Sequence, residues 1–125
     1  MNYGKRTETS VVTKILEYLQ CLENSGTVIW CDRLNSGNIP VSYKSKVTGK
    51  TKFRRIRLCR EGTPDIICFL HCGLTLWIEV KLDGEKQSDK QIEFEKMVNY
   101  MPNHRYFIAH DVDESAKIIK DILDE

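Results

Sequence analysis

Between residues 62 and 81 the chain reads Gly-Thr-Pro-Asp-Ile-Ile-Cys-Phe-Leu-His-Cys-Gly-Leu-Thr-Leu-Trp-Ile-Glu-Val-Lys. The apolar runs 66–70 and 74–80 have strand length and are rich in β-branched and aromatic residues. His71, Cys72 and Gly73 supply a tight turn between them, so the pair predicts a hairpin. Three polar groups stand at its open end: Asp65 entering the first strand, Glu79 and Lys81 leaving the second. Alternation sends Glu79 and Lys81 to one face and Val80 to the other, and antiparallel pairing can bring Asp65 beside them. Two carboxylates and an ammonium at a strand mouth suit a hard divalent cation that is held through oxygens and keeps several waters. The plainer alternative is a salt-bridged strand end.

The flanking segments complete an α/β pattern. A helix is expected over about 7–23, with Val12, Ile15, Leu16, Leu19 and Leu22 on its buried face and Asn24-Ser25-Gly26 ending it. Glu8 lies one turn before Val12 on that stripe, so it either faces inward and needs a partner or is a first-turn glutamate in water. Residues 1–6 read as a loose end. A strand is expected over 27–34, with Val28, Ile29 and Trp30 in the core. After a polar turn, Ser88 caps a helix to about Tyr100. Gln91 sits at capping-box spacing from Ser88, yet also heads an inward stripe with Phe94, Val98 and Met101. A strand over 105–110 and a helix capped by Asp113 and running through Leu123 close the chain, with Ile118, Ile119, Ile122 and Leu123 buried.

Residues 38–60 form an expected insert. The runs 41–47 and 51–58 have strand character, with Thr48-Gly49 as the turn. Lys44, Lys46, Lys50, Lys52, Arg54, Arg55, Arg57 and Arg60 all fall here with no acid among them, and Tyr43 and Phe53 lie between. Such a ribbon suits the backbone of a nucleic acid; solvated decoration is the alternative. The net charge of +1 conceals the split: residues 1–60 carry 12 Lys+Arg against 4 Asp+Glu, and residues 61–125 carry 7 against 14. A basic half beside an acidic half points to a polyanionic partner and to cation-binding carboxylates.

Pro64-Asp65 followed by Glu79-Val80-Lys81 resembles the PD-(D/E)xK nuclease pattern. Gly62-Thr63-Pro64-Asp65, Trp77-Ile78-Glu79-Val80-Lys81 and Gln91 together resemble the small VRR-NUC branch of that superfamily, over roughly residues 8–110. The E-x-K triplet is unspecific; Pro-Asp and E-x-K each on its own apolar strand is far more specific. The resemblance implies a restriction endonuclease-like αβββαβ core, a mixed sheet flanked by helices, with the basic hairpin inserted into one domain spanning 1–125. It implies a Mg²⁺- or Mn²⁺-dependent DNA endonuclease with Asp65, Glu79, Lys81 and Gln91 catalytic, and Glu8, Asp65, Glu79 and the Val80 carbonyl on the metal. It also implies a homodimer acting on branched DNA in the manner of Holliday junction resolvases, in a bacterial or phage-infected cell. Arg33-x-Asn35-x-Gly37 resembles the family's segment after its first strand, where a guanidinium and an amide grip a phosphodiester; a plain polar loop fits the same residues. A non-catalytic DNA-binding module and a protein-interaction domain using the basic hairpin are the competing readings.

Other classes fit less well. No run approaches the ~20 apolar residues of a membrane span. The N-terminus lacks an apolar signal region, and Cys21, Cys31, Cys59, Cys68 and Cys72 lack framework spacing, so a reduced intracellular setting is expected. Cys59, Cys68, His71 and Cys72 contain no C-x₂-C pair for zinc. His71, His104 and His110 read as turn or strand-end residues, and no phosphate-binding glycine loop is present.

Overall fold

A computed structural model describes residues 6–34 and 38–125. The elements run α1 (Glu8–Asn24), β1 (Val28–Arg33), β2 (Asn38–Lys44), β3 (Thr51–Arg57), β4 (Ile66–Leu70), β5 (Thr75–Val80), α2 (Asp89–Asn99), β6 (His104–Ala109) and α3 (Val112–Leu123). The order matches the expected helix–strand–insert–two strands–helix–strand–helix. Among the described residues the strands form a mixed four-stranded sheet in the order β1-β4-β5-β6 and a separate β2-β3 pair.

The apolar run 66–80 folds back as expected: β4 and β5 pair antiparallel, with Ile66 opposite Ile78 and Phe69 opposite Thr75. The parallel β5–β6 pairing sets Glu79 against Ile108 and Val80 against Ala109. Period two then sorts the faces. Ile66, Cys68, Leu70, Leu76, Ile78, Val80, Phe107 and Ala109 point to the layer of α1 and α3, joined by Val11, Val12, Ile15, Leu19 and Ile119. Leu16, Leu22, Ile118 and Ile122 are only partly buried against this core, and Leu123 is exposed. The opposite face carries α2 over β5 and β6, where Phe94 meets Trp77 edge to face at 5.1 Å. Val98 is fully buried there.

Three expectations need correction. Ile29 and Trp30 are not core residues: they are 63% and 43% exposed. A register shift between Val28 and Trp30 breaks the strand's alternation, and β1 is an edge strand whose second face has no helix over it among the described residues. The last helix is capped by Asp111, whose extended backbone lets its Oδ1 accept the Glu114 N–H at 2.7 Å, while Asp113 lies in the first turn. In the insert, β2 starts and ends three residues earlier than expected. Residues 45–50 form the connection, with the Ser45 N–H donating to the Lys50 carbonyl at 2.9 Å and Gly49 at φ +70°. Val47 is therefore a loop residue, 92% exposed.

No other described helix or strand packs against β2 and β3. The pair is inserted between β1 and β4, which are neighbours, so it leaves the sheet at the end where Arg33 meets Ile66. That is the end at which Asp65, Glu79 and Lys81 stand. Among the described residues, no helix is long and apolar enough to cross a membrane.

Candidate metal centre

Gly62-Thr63-Pro64-Asp65 aims a carboxylate. The Thr63 hydroxyl donates to the Arg60 carbonyl at 2.6 Å and tightens the loop, and Pro64 is fully buried beneath it. Asp65 is thereby held at the start of β4, half-exposed, with its Oδ2 accepting the Val80 N–H at 2.8 Å. A strand residue's N–H and C=O leave on the same side. The Val80 carbonyl therefore faces the side on which Asp65 sits.

Glu79 is 4% exposed. Its Oε1 accepts a hydrogen bond from Gln91 Nε2 at 3.2 Å, and its Oε2 has no hydrogen-bond partner among the described residues. Burial, then the neighbouring Asp65 carboxylate, push the Glu79 carboxyl up to about 9, against a smaller opposing effect of Lys81. Two ionised carboxylates supply no donor between them. Either a shared proton or a cation must relieve Oε2, because an unpaired buried charge is costly.

Gln91 performs both roles that its spacing left open. Its Oε1 accepts the Ser88 N–H at 2.8 Å and its own N–H reaches Ser88 Oγ at 3.2 Å, which closes the capping box of α2. The amide nitrogen of the same side chain holds Glu79. The helix cap thus orients the buried acid.

Glu8 lies half-exposed at the first turn of α1, near enough to Glu85, Asp65 and Lys81 to feel their charges. Burial first, then a hydrogen bond with Glu85, raises its carboxyl above the ordinary range. Glu85 was not expected at the site. Its Oε1 accepts the Leu82 N–H at 2.7 Å, and this backbone hydrogen bond holds its carboxyl below the ordinary range. Its only sequence signal is the Asp83-Gly84 turn, where Gly84 at φ +85° folds the chain back over Lys81. Lys81 is half-exposed, within the field of Glu8, Glu79 and Glu85, and makes no direct ion pair among the described residues.

The fit to a divalent cation follows from these donors. Among the described residues, no three His, Cys, Asp or Glu side chains form a ready-made metal cage. Mg²⁺ and Mn²⁺ do not require one, since Mg²⁺ is commonly held by one or two carboxylates with substrate phosphates and water. The orphaned Glu79 oxygen, Asp65 and the Val80 carbonyl make such a set, with Glu8 at its rim. A zinc site at Cys59, Cys68, His71 and Cys72 is not formed: Cys68 is fully buried in β4 and Cys72 lies exposed in the far turn.

The other named residues divide. Arg33 is exposed at the end of β1, while Asn35 and Gly37 lie outside the described residues, as do residues 1–5 of the expected loose end. Lys44, Lys46, Lys50, Lys52, Arg54 and Arg55 are all on the insert and make no ion pair among the described residues; Arg54 sits 5.9 Å over the Tyr43 ring. Arg57 belongs to β3. Arg60 instead lines a cleft of about 340 Å³ with Thr63, Lys90 and Phe94, on the flank of α2 rather than at the carboxylates. Lys90 pairs with Glu93 at 3.4 Å.

Comparison with family models, with curated proteins and with solved structures finds no match to this chain.

The raised Glu79 group has a measurable consequence. Its folded value of about 9 lies above the unfolded 4.5, so between these limits the folded state holds a proton that the unfolded chain has lost. Stability of the metal-free protein should therefore be greatest at the acid end of that window and fall as pH rises, by at most ~1.4 kcal/mol per unit. Glu79→Gln should flatten the slope, and added Mg²⁺ or Mn²⁺ should stabilise most at high pH, where it no longer competes with the proton. Melting curves across this range in chelator and in metal test it; parallel wild-type and Glu79→Gln profiles would contradict it.

Proposed function

We propose that the protein is a divalent-cation-dependent nuclease that hydrolyses DNA phosphodiesters. The observation that carries this reading is Glu79: nine-tenths buried, one oxygen fixed by Gln91, the other unpaired beside Asp65. Asp65, Glu79 and the Val80 carbonyl, with Glu8 at the rim, would hold one or two Mg²⁺ or Mn²⁺ ions. Such a cation supplies a Lewis acid for the phosphoryl oxygens and a nucleophile at neutral pH. Lys81 leaves β5 on the Glu79 face and offers its ammonium to the charge that grows on the phosphoryl group. Gln91 positions Glu79 through its amide nitrogen.

The insert supports a DNA partner because its cations, of which Lys44, Lys46, Lys50, Lys52, Arg54 and Arg55 make no ion pair among the described residues, leave the sheet at the same end as this site. Replacing Lys52, Arg54 and Arg55 with alanine should weaken DNA binding for every sequence alike. It should also reduce the slope of log K against log[salt] by roughly 0.9 per phosphate contact removed. An unchanged slope would take the hairpin out of the interface.

The decisive experiment incubates the protein with labelled duplex, nicked, flapped and four-way-junction DNA, with and without Mg²⁺ or Mn²⁺. Cleavage that needs the metal supports the reading, and preference for the junction supports the resolvase-like form. Light scattering alongside reads whether two copies pair, as that form requires. Binding to DNA with no cleavage under any metal would favour the non-catalytic module instead.

A further inference from the structure

The sheet face that carries Glu79 is covered by α2 only over β5 and β6. On its bare half, Trp30 of β1 and Phe69 of β4 are directly opposite each other and stack, ring centroids 5.4 Å apart and planes inclined by 28°. Both rings stay exposed, Trp30 by 43% and Phe69 by 39%.

We propose that Trp30 and Phe69 form a stacking platform for unpaired bases of a DNA strand whose backbone enters the carboxylate site. This deepens the nuclease reading and rests on its nucleic-acid part, not on hydrolysis. Three observations favour a nucleic-acid strand over a second copy of the chain. The platform and the carboxylates share one sheet face: Phe69 and Ile67 of β4 are paired with Thr75 and Trp77 of β5, Glu79 follows these at period two, and Asp65 stands immediately before β4. Asp65 and Phe69 are four residues apart, so platform and site are separated by about 13 Å at ~3.3 Å per residue. Finally, β1 and β4, the two strands that bear the rings, are the two that the basic β2–β3 ribbon joins, and the ribbon emerges at the carboxylate end.

Charge and ring chemistry therefore converge on one ligand: phosphates meet the ribbon, and unpaired bases meet the rings. Exposed aromatic rings beside cations are the usual means of holding a single strand without reading its sequence. Asp32 is the one acid of β1 on this face, and its Oδ1 is engaged by the Arg33 N–H at 2.8 Å. A platform of this kind selects flapped or tailed DNA, in which unpaired bases adjoin a duplex, over continuous duplex.

The test measures binding in chelator by fluorescence anisotropy, with a blunt duplex and the same duplex bearing an oligothymidine tail. The wild-type protein should bind the tailed form more tightly. Trp30→Ala and Phe69→Ala should each weaken it about tenfold and leave the blunt duplex unchanged. Equal affinity for the two DNAs, or equal loss on both, overturns the platform while the nucleic-acid reading stands. If neither DNA binds, that reading falls and the platform with it. Conversion of a dimer to a monomer by Trp30→Ala, with no tail-specific loss, assigns the pair to a second copy and overturns the proposal. Should Trp30→Ala not fold, iododeoxyuridine in the tail is photocrosslinked to the wild-type protein. A crosslink at Trp30 or Phe69 supports the platform, and one elsewhere overturns it.

Discussion

A Lys81→Ala protein should bind DNA and fail to cut it. The side chain lies on the carboxylate face of β5, half-exposed, among Glu8, Glu79 and Glu85 without a direct ion pair. It holds no element of the fold in place, so its loss should leave stability near that of the parent. On the proposed reading, what disappears is the cation facing a phosphoryl group in its most charged state, and removal of one such group costs about 10²–10³-fold in rate. Divalent-metal binding should survive, since the carboxylates remain and lose an internal competitor. Asp65→Ala provides the contrast. It removes a proposed metal ligand and the acceptor of the Val80 N–H, so metal binding and cleavage should fall together. Calorimetric titration with Mn²⁺ beside a cleavage assay separates the two variants. Wild-type cleavage by Lys81→Ala would withdraw the assignment.

Gly62→Ala should do the greatest structural damage of any single methyl group added at the site. A Cβ at this position would lie 2.5 Å from the Lys90 carbonyl oxygen and 2.6 Å from its carbon, and the backbone is at φ +90°. Both atoms are main chain, so the clash is relieved only by moving the first turn of α2 or the 60–64 loop. A non-glycine residue in this conformation, together with overpacking, costs roughly 2–5 kcal/mol. The melting temperature should fall by ~10 °C or more. Because Gln91 follows Lys90, the displacement should also loosen the hold on Glu79, and activity should fall further than at the other site glycine, Gly84. Nothing stands within 4 Å of a Cβ at Gly84. An unchanged melting temperature for Gly62→Ala would show that the loop does not dock α2 in this way.

The parts legible in the sequence are those governed by short-range periodicity. Two apolar runs around a short turn pair with each other as a hairpin, and period two placed Glu79 and Lys81 together. The apolar run at 28–30 misled because hydrophobicity does not say whether a face is covered. Only the sheet order shows β1 at an edge, with α2 lying over the other end. The cap at Asp111 was missed because Asp113 stands two residues away with the same chemistry, and backbone dihedrals decide between them. Glu85 carries no signature beyond the Asp83-Gly84 turn, and its place depends on how that turn doubles back over Lys81.

Local chemistry determined the strands, the mouth residues and the Ser88–Gln91 cap, because each depends on neighbours a few residues away. Long-range packing decided the rest. The close approach of Gly62 to Lys90 sets α2 on the sheet, and the cap residue Gln91 then reaches Glu79. The buried, unpaired carboxylate oxygen is a product of that docking. So is the bare half-sheet where Trp30 and Phe69 stack, because one short helix covers two strands and leaves the other two open.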